Sequence, residues 1–300
     1  MHSRFQRTLS REGPYYALIL PPVILVFIFS YIPLYGLVIA FQHYNVARGF
    51  SSPWVGFANF RQIFSQVQFT RTIGNTVFIA VLKIIGGIIV PVTVALLLNE
   101  ISNIRVERIF QTLVYLPYFL SWVILAGVFI DMLSLDGIVN KAVMLVGLQP
   151  IQFLSDAKLF PWVMVVTDVW KGFGFGTVIY LAAITSIDPG LYEAAVVDGA
   201  GRWMQTRRIT LPLLAPTVVL MTVLSLGNVL NAGFDQIYNL YSPIVYSSGD
   251  IIDTFVYRLG ILQAQYSIGA AVGLFKSAVS AVLMSLSLFL ADRLVGYWVF

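Results

Sequence analysis

The chain has 300 residues, 58% of them hydrophobic and only 11% charged, whereas ordinary soluble domains carry about 25% charged residues. That composition excludes a soluble globular domain and defines a membrane protein, and the formal charge of +4 is the basic excess of membrane topology rather than a sign of nucleic acid. With no cysteine, disulfide frameworks, thiolate metal sites and cysteine nucleophiles are excluded together.

A hydrocarbon core about 30 Å thick needs roughly 20 apolar residues in a helix. Six stretches qualify, at about 15–41, 73–98, 109–131, 159–184, 213–237 and 268–291, so an all-α polytopic bundle with six transmembrane helices is predicted. The first exceeds the roughly 7–15 apolar residues of a signal peptide and is read as a span. Basic residues near short loops stay in the cytoplasm. With the N-terminus inside, nine of them (Arg4, Arg7, Arg11, Arg105, Arg108, Arg202, Arg207, Arg208 and Arg293) fall in inner segments and six in outer ones, while Lys83, Lys171 and Lys276 lie within spans. Both termini are expected in the cytoplasm, with residues 1–14 a cytoplasmic segment and residues 15–300 a transmembrane domain whose cytoplasmic loop covers 187–212.

In chain order, Pro21, Pro22 and Pro33 predict kinks in the first span. Residues 42–71 form an outer segment whose Trp54, Phe57 and Phe60 suit the membrane interface. Gly86, Gly87 and Pro91 in the second span allow close packing and a kink. The third span holds Pro117. The apolar run 138–148 is too short to cross and is placed at the interface. In the fourth span Asp168, Trp170 and Lys171 are followed by Gly172, Gly174 and Gly176, read as a flexible or tightly packed turn. Asp168 and Lys171, three apart, are placed to neutralise each other. In the fifth span Asn228, Asn231, Asp235 and Tyr238 recur at intervals of three and four, with Phe234 beside them, predicting one polar stripe down a helix. Lys276 lies on a second stripe with Gly273, Ser277, Ser280 and Ser287 in the sixth. Such groups face a bundle interior or an aqueous path, or, for the small residues, glue helices together.

The polar interruption before the fifth span is the most specific signal. Asp188-Pro189 supplies an N-cap acceptor and a proline at the first helical position, predicting a short helix from Pro189 to about Val197. Ala194 and Ala195 leave it slim behind Glu193, and Asp198-Gly199-Ala200 provides its exit. Arg202 to Arg208 form a basic stretch, Ile209 and Leu211 lead into the fifth span, and Pro212 is read as setting the turn.

Glu193-Ala194-Ala195, then three residues, Gly199, nine residues and Ile209-Thr210-Leu211-Pro212 resemble the loop by which permease subunits of bacterial binding-protein-dependent ABC importers engage their ATPases. Ile32-Pro33-Leu34-Tyr35-Gly36, Ser52-Pro53-Trp54-Val55-Gly56, Tyr115-Leu116-Pro117 and the stretch from Thr254 to Ser277 extend the likeness to the carbohydrate-uptake branch. Within it the chain is similar to the polysaccharide subgroup and to the first permease subunits of alginate importers. The resemblance implies the MetI-like permease fold, with Glu193, Ala194, Ala195, Asp198, Gly199, Ala200, Ile209, Leu211 and Pro212 as the ATPase-docking loop. It implies as partners a second homologous permease subunit, two cytoplasmic ATPase subunits, a periplasmic or tethered solute-binding protein, a saccharide substrate and membrane lipid, in the bacterial inner membrane.

No P-loop of the form G-x-x-x-x-G-K-[ST] occurs, so the chain is expected to bind no cofactor, with ATP and Mg handled by the partner ATPases. No catalytic or metal site is expected. His2 and His43 lie outside the span interiors, which disfavours an intramembrane Ser-His protease. An ion-coupled secondary transporter using Asp168 or Asp235 is the alternative.

Overall fold

The computed structural model describes residues 15–295, and the predicted N-terminal segment 1–14 lies outside them. Among the described residues the chain is helical, with two isolated antiparallel bridges, Gln42 to Trp54 and Asn45 to Gly49. Five helical stretches are long and apolar enough to cross a membrane, at Tyr15–Phe41, Val67–Asn99, Trp122–Leu145, Arg202–Gly227 and Tyr266–Leu290. The bent pair Phe160–Thr185 and Pro189–Val197 makes a sixth. Two compact units are present: the chain up to Ser65 together with Val256–Leu274, and Gln66–Phe255 together with the chain from Phe275 onward.

In the first unit, helix α1 (Tyr15–Phe41) passes through Pro21 and Pro22 as α-helix. Ahead of Pro33 it widens into a π-turn at Phe27–Tyr31, where the Ile32 N–H donates to the Phe27 carbonyl. It then tightens to 3-10 geometry over Ile32–Phe41. A proline ring collides with the carbonyl four residues back in an α-helix, and a π-turn is a common local remedy. The aromatic residues expected at the interface form a packed cluster: the Phe41 ring lies 5.6 Å from Trp54 and 5.4 Å from both Phe57 and Phe60. Beside it, on α2 (Ala58–Phe64), buried Asn59 donates to the carbonyls of Ala40 at 2.8 Å and Gln42 at 3.0 Å.

The second unit is built on α3 (Val67–Asn99) and α7 (Phe160–Thr185). A Cβ added at Gly86 of α3 would lie 2.6 Å from Val169 Cγ2, and one at Gly176 of α7 would lie 3.0 Å from Pro91. Small residues on both sides let the two backbones approach, which is how helices associate where lipid is as apolar as leucine. The Gly172, Gly174 and Gly176 cluster is therefore no turn. It lies within continuous helix, and Gly174 packs against the backbone of Val114, where a Cβ would come within 2.1 Å of the carbonyl oxygen.

The expected third span at 109–131 is two helices, α4 (Ile104–Tyr115) and α5 (Trp122–Leu133). Pro117 cannot continue α4, so the chain passes through a 3-10 turn at Leu116–Phe119, and Ser121 caps α5 by accepting from the Ile124 N–H at 3.3 Å. The run after it forms α6 (Ile138–Leu145). Beyond α7 come α8 (Pro189–Val197), α9 (Arg202–Gly227), α10 (Phe234–Leu240), α11 (Ile252–Val256) and α12 (Tyr266–Val295). Ala95 and Leu98 of α3, Tyr180, Leu181 and Ile184 of α7 and Leu214 of α9 form one buried cluster. It fixes the α8 ends of three long helices against each other.

Candidate functional site

The loop forms as its sequence predicts. Asp188 caps α8, its carboxylate accepting from the Gly190 N–H at 2.9 Å, a cap worth about 1 kcal/mol. The helix axis turns by 66° between α7 and α8. At the other end the Asp198 and Ala200 N–H groups donate to Ala194 and Ala195 at 3.0 and 2.8 Å, and Gly199 takes φ +80°, a left-handed exit that glycine adopts without strain. No residue of α8 is buried. Glu193, Ala194, Asp198 and Gly199 are exposed, with Ala195 and Ala200 half-buried.

One side-chain contact ties this exposed helix to the next span, and two more brace the loop that follows it. Tyr192 and Thr210 share a hydroxyl hydrogen bond of 2.9 Å. Gln205 donates to the Ala200 carbonyl at 2.8 Å, and Arg202 pairs at 2.9 Å with Glu100, the residue that follows α3. Behind α8 a cleft of about 390 Å³ is lined by residues that include Asn99, Ile187, Tyr192, Gln205 and Thr210.

Pro212 sets no turn. Helix α9 runs unbroken from Arg202 through it, because the residues before it form a π-turn, Thr206–Thr210, in which the Leu211 N–H reaches the Thr206 carbonyl. Ile209 is half-buried and Leu211 and Pro212 exposed. The loop is thus one short helix slung between two long ones.

The second group is a cavity of about 480 Å³ between α3, α7 and the end of α9, in which Lys83, Asp168, Ser225, Asn228 and Asn231 sit among apolar residues that include Ala80, Ile84 and Leu224. The predicted stripe down the fifth span is not helical. Helix α9 stops at Gly227 and the chain resumes helix only at Phe234, after Gly233 at φ +95°. Asn228 and Asn231 meet across this interruption, the Asn231 amide donating to Asn228 Oδ1 at 3.3 Å. Asp235 is exposed and Phe234 stacks on Tyr238 at 5.3 Å, and neither lines the cavity.

Asp168 pairs not with Lys171 but with Lys83, Nζ to Oδ1 3.3 Å. Lys171 instead donates to the Tyr118 carbonyl at 2.9 Å and lies over the Tyr118 and Trp122 rings. Trp170 packs edge-on against Phe129 at 5.6 Å, and Lys276 pairs with Asp253. None of these three lines the cavity. Residues i and i+3 share a helix face only in broad terms, and here the tertiary partner on α3 wins.

Lys83 and Gln236 are the residues sequence reasoning passed over. The lysine ammonium donates to the Ala232 carbonyl at 2.7 Å and to Gln236 Oε1, while the Gln236 amide donates to the Met164 carbonyl at 2.8 Å and Thr167 Oγ1 at 2.7 Å. A charged residue inside a span is by itself a flag for function. That signal was present at Lys83.

An all-helical membrane bundle with an exposed helix slung between two spans, and a partly polar cavity where those spans meet, defines the transmembrane component of a transporter. The chain belongs to the family described as binding-protein-dependent transport system inner membrane component, which it matches over residues 87–297. It is similar to Protein LplB of Bacillus subtilis, 40% identical over 278 residues, 92% of this chain and 87% of that protein. It is also similar to the polygalacturonan/rhamnogalacturonan transport system permease protein YteP of Bacillus subtilis, 39% identical over 93% of this chain and 87% of that one. Among solved structures, one of a bacterial ABC transporter involved in the import of the acidic polysaccharide alginate superposes with TM-score 0.89 at 38% identity, covering 97% of this chain and 99% of the other. A second, of a bacterial alginate ABC transporter in complex with an alginate pentasaccharide-bound periplasmic protein, gives TM-score 0.90 at 38% identity over 99% and 100%. A member of this family is a transport component rather than an enzyme, and membership favours the ABC importer over the ion-coupled carrier.

Proposed function

We propose that this chain is one permease subunit of an ATP-driven importer that moves oligo- or polysaccharide across the bacterial inner membrane by alternating access, its substrate an acidic polysaccharide such as alginate; the alginate transporter structures at 38% identity and the polygalacturonan/rhamnogalacturonan permease at 39% both support the acidic class. A second homologous permease completes the pathway. Two cytoplasmic ATPase subunits bind ATP and Mg and dock on residues 187–212. A periplasmic or tethered solute-binding protein delivers the saccharide. Both termini lie in the cytoplasm.

One observation carries the reading: α8 joins α7 directly to α9, and these are two of the helices that line the cavity. A displacement of α8 by an ATPase is delivered to Asp168 through one helix and to Ser225 and Asn228 through the other. The capped start and glycine exit define where α8 begins and ends, and the cleft behind it gives it room to rock.

The test is co-purification of the chain with its ATPases and second permease, followed by uptake into proteoliposomes. ATP-dependent uptake of uronate oligomers that survives an uncoupler supports the importer; absence of an ATPase, or collapse on uncoupling, overturns it. Equal uptake of neutral and uronate oligomers at every salt concentration would remove the acidic-sugar assignment alone.

A further inference from the structure

We infer that Lys83 is a positioning residue, holding the interruption at 228–233 open so that Asn228 and Asn231 face the cavity, and that it offers no charge to the saccharide. The inference rests on the importer reading and deepens it.

A lysine ammonium carries three N–H donors and no acceptor. The structure gives it three partners: the Ala232 carbonyl, Gln236 Oε1 and Asp168 Oδ1. Its side chain is 8% exposed, against 34% for Asp168. The donors are filled, and the charge is matched by the one carboxylate among the cavity's lining residues.

The geometry of the interruption explains why a cation is needed there. Residues 228–233 leave the helix, so backbone carbonyls that α-helix would satisfy need other partners at membrane depth. Lys83 takes one of them, Ala232. Gln236 takes part in the same cluster and is itself held by Met164 and Thr167 of α7. Lys83 thus links α3 to the interruption directly and to α7 through Asp168 and Gln236. Gly233 is the counterpart in the chain: it takes φ +95°, which favours glycine, and a Cβ there would lie 2.9 Å from Lys83 Nζ, so a larger residue would push the ammonium from its place. What this chain leaves at the cavity are the amides of Asn228 and Asn231, the Ser225 hydroxyl, which donates to the Met221 carbonyl and keeps its acceptor side, and the partly exposed Asp168 carboxylate, groups that hydrogen-bond sugar hydroxyls and do not attract carboxylates. At this chain's wall the saccharide is read by hydroxyls, and selection for carboxylates falls to other surfaces of the transporter.

The test separates pairing from positioning. Lys83→Met strands Asp168 without a partner; Lys83→Met with Asp168→Asn removes that charge yet still leaves the Ala232 carbonyl unheld. In the assembled importer the double variant is expected to regain the melting temperature that Lys83→Met loses. Both are expected to raise the half-saturating saccharide concentration for ATPase stimulation by about tenfold, the size of a lost hydrogen bond or two. A readout independent of saccharide uses the absence of cysteine from this chain: Asn231→Cys is expected to react with a water-soluble thiol reagent, followed on this chain's band, at a rate changed severalfold by Lys83→Met in either Asp168 background. Restoration of both readouts by the double variant reduces Lys83 to a structural ion pair and overturns the inference, as does failure of the double variant to assemble. A saturation shift that falls on uronates and spares neutral oligomers would also overturn it, by making Lys83 a carboxylate-binding residue. Wild-type importer with no saccharide stimulation sinks the importer reading instead, and the cysteine rate still reports on Lys83.

Discussion

Tyr192 on the exposed helix and Thr210 at the base of the following span share a hydrogen bond of 2.9 Å, the most direct side-chain link between the part of the molecule proposed to receive force and the part proposed to respond. Thr210 is buried and Tyr192 half-buried, so the contact is shielded from competing water. Tyr192→Phe keeps the ring and deletes the hydroxyl. It is expected to cost about 0.5–1.5 kcal/mol of local stability and to lower the saccharide moved per ATP hydrolysed severalfold, read by uptake and phosphate release on one preparation.

Gly199→Val tests the exit of α8. At φ +80° a β-branched residue is strained by roughly 1–3 kcal/mol, although nothing nearby blocks its Cβ. The variant is expected to insert normally but to hydrolyse ATP without uptake, and Glu193→Ala the same through lost docking. Normal transport by both would count against the docking role.

A contrast within one helix tests the packing of α7. Gly174→Ala puts its Cβ 2.1 Å from the Val114 carbonyl, where backbone must move, and is expected to cost about 1–3 kcal/mol, lowering the melting temperature of the assembled protein. Gly172→Ala meets nothing within 4 Å and gains roughly 0.8–1.0 kcal/mol of helix propensity. Its melting temperature should hold or rise.

The Arg202 to Glu100 pair lies at 2.9 Å with side chains 73% and 42% exposed. Exposed pairs are worth about 0–1 kcal/mol and are screened by salt. Glu100→Gln is therefore expected to leave the melting temperature almost unchanged in high salt. A larger loss would mean that the pair is desolvated in the assembled transporter.

What could be read from the sequence divides along a physical line. Helix α8 was legible because its start and stop are local: Asp188-Pro189 and Gly199 act on neighbours in the chain. The first, second and sixth spans were legible for the same reason, whereas the third was drawn at 109–131 and its following run 138–148 left at the interface, although the stretch long and apolar enough to cross is Trp122–Leu145. The pairing of Lys83 with Asp168 was not, because the i,i+3 rule offered Lys171 and nothing in one sequence says that α3 comes beside α7. The interruption at 228–233 was hidden by its own polar spacing, which fits a helix as well as a loop. Gly227 and Gly233 bracket it and are the signal that a stricter reading of glycine as a breaker would have used. Pro117 was seen, yet a break in an apolar run costs little when the following serine caps a new helix.

The missing turns of helix after Gly227 have a mechanical meaning. A continuous span is a rod, and a push at one end reappears as tilt at the other. This one ends at the cavity, while α10 beyond it stays tethered through Gln236 to α7. On the proposed docking at α8, a stroke entering at Arg202 is expected to arrive as a change in the distance between Asn228 and Gln236, which would make the broken span a joint that turns thrust into aperture.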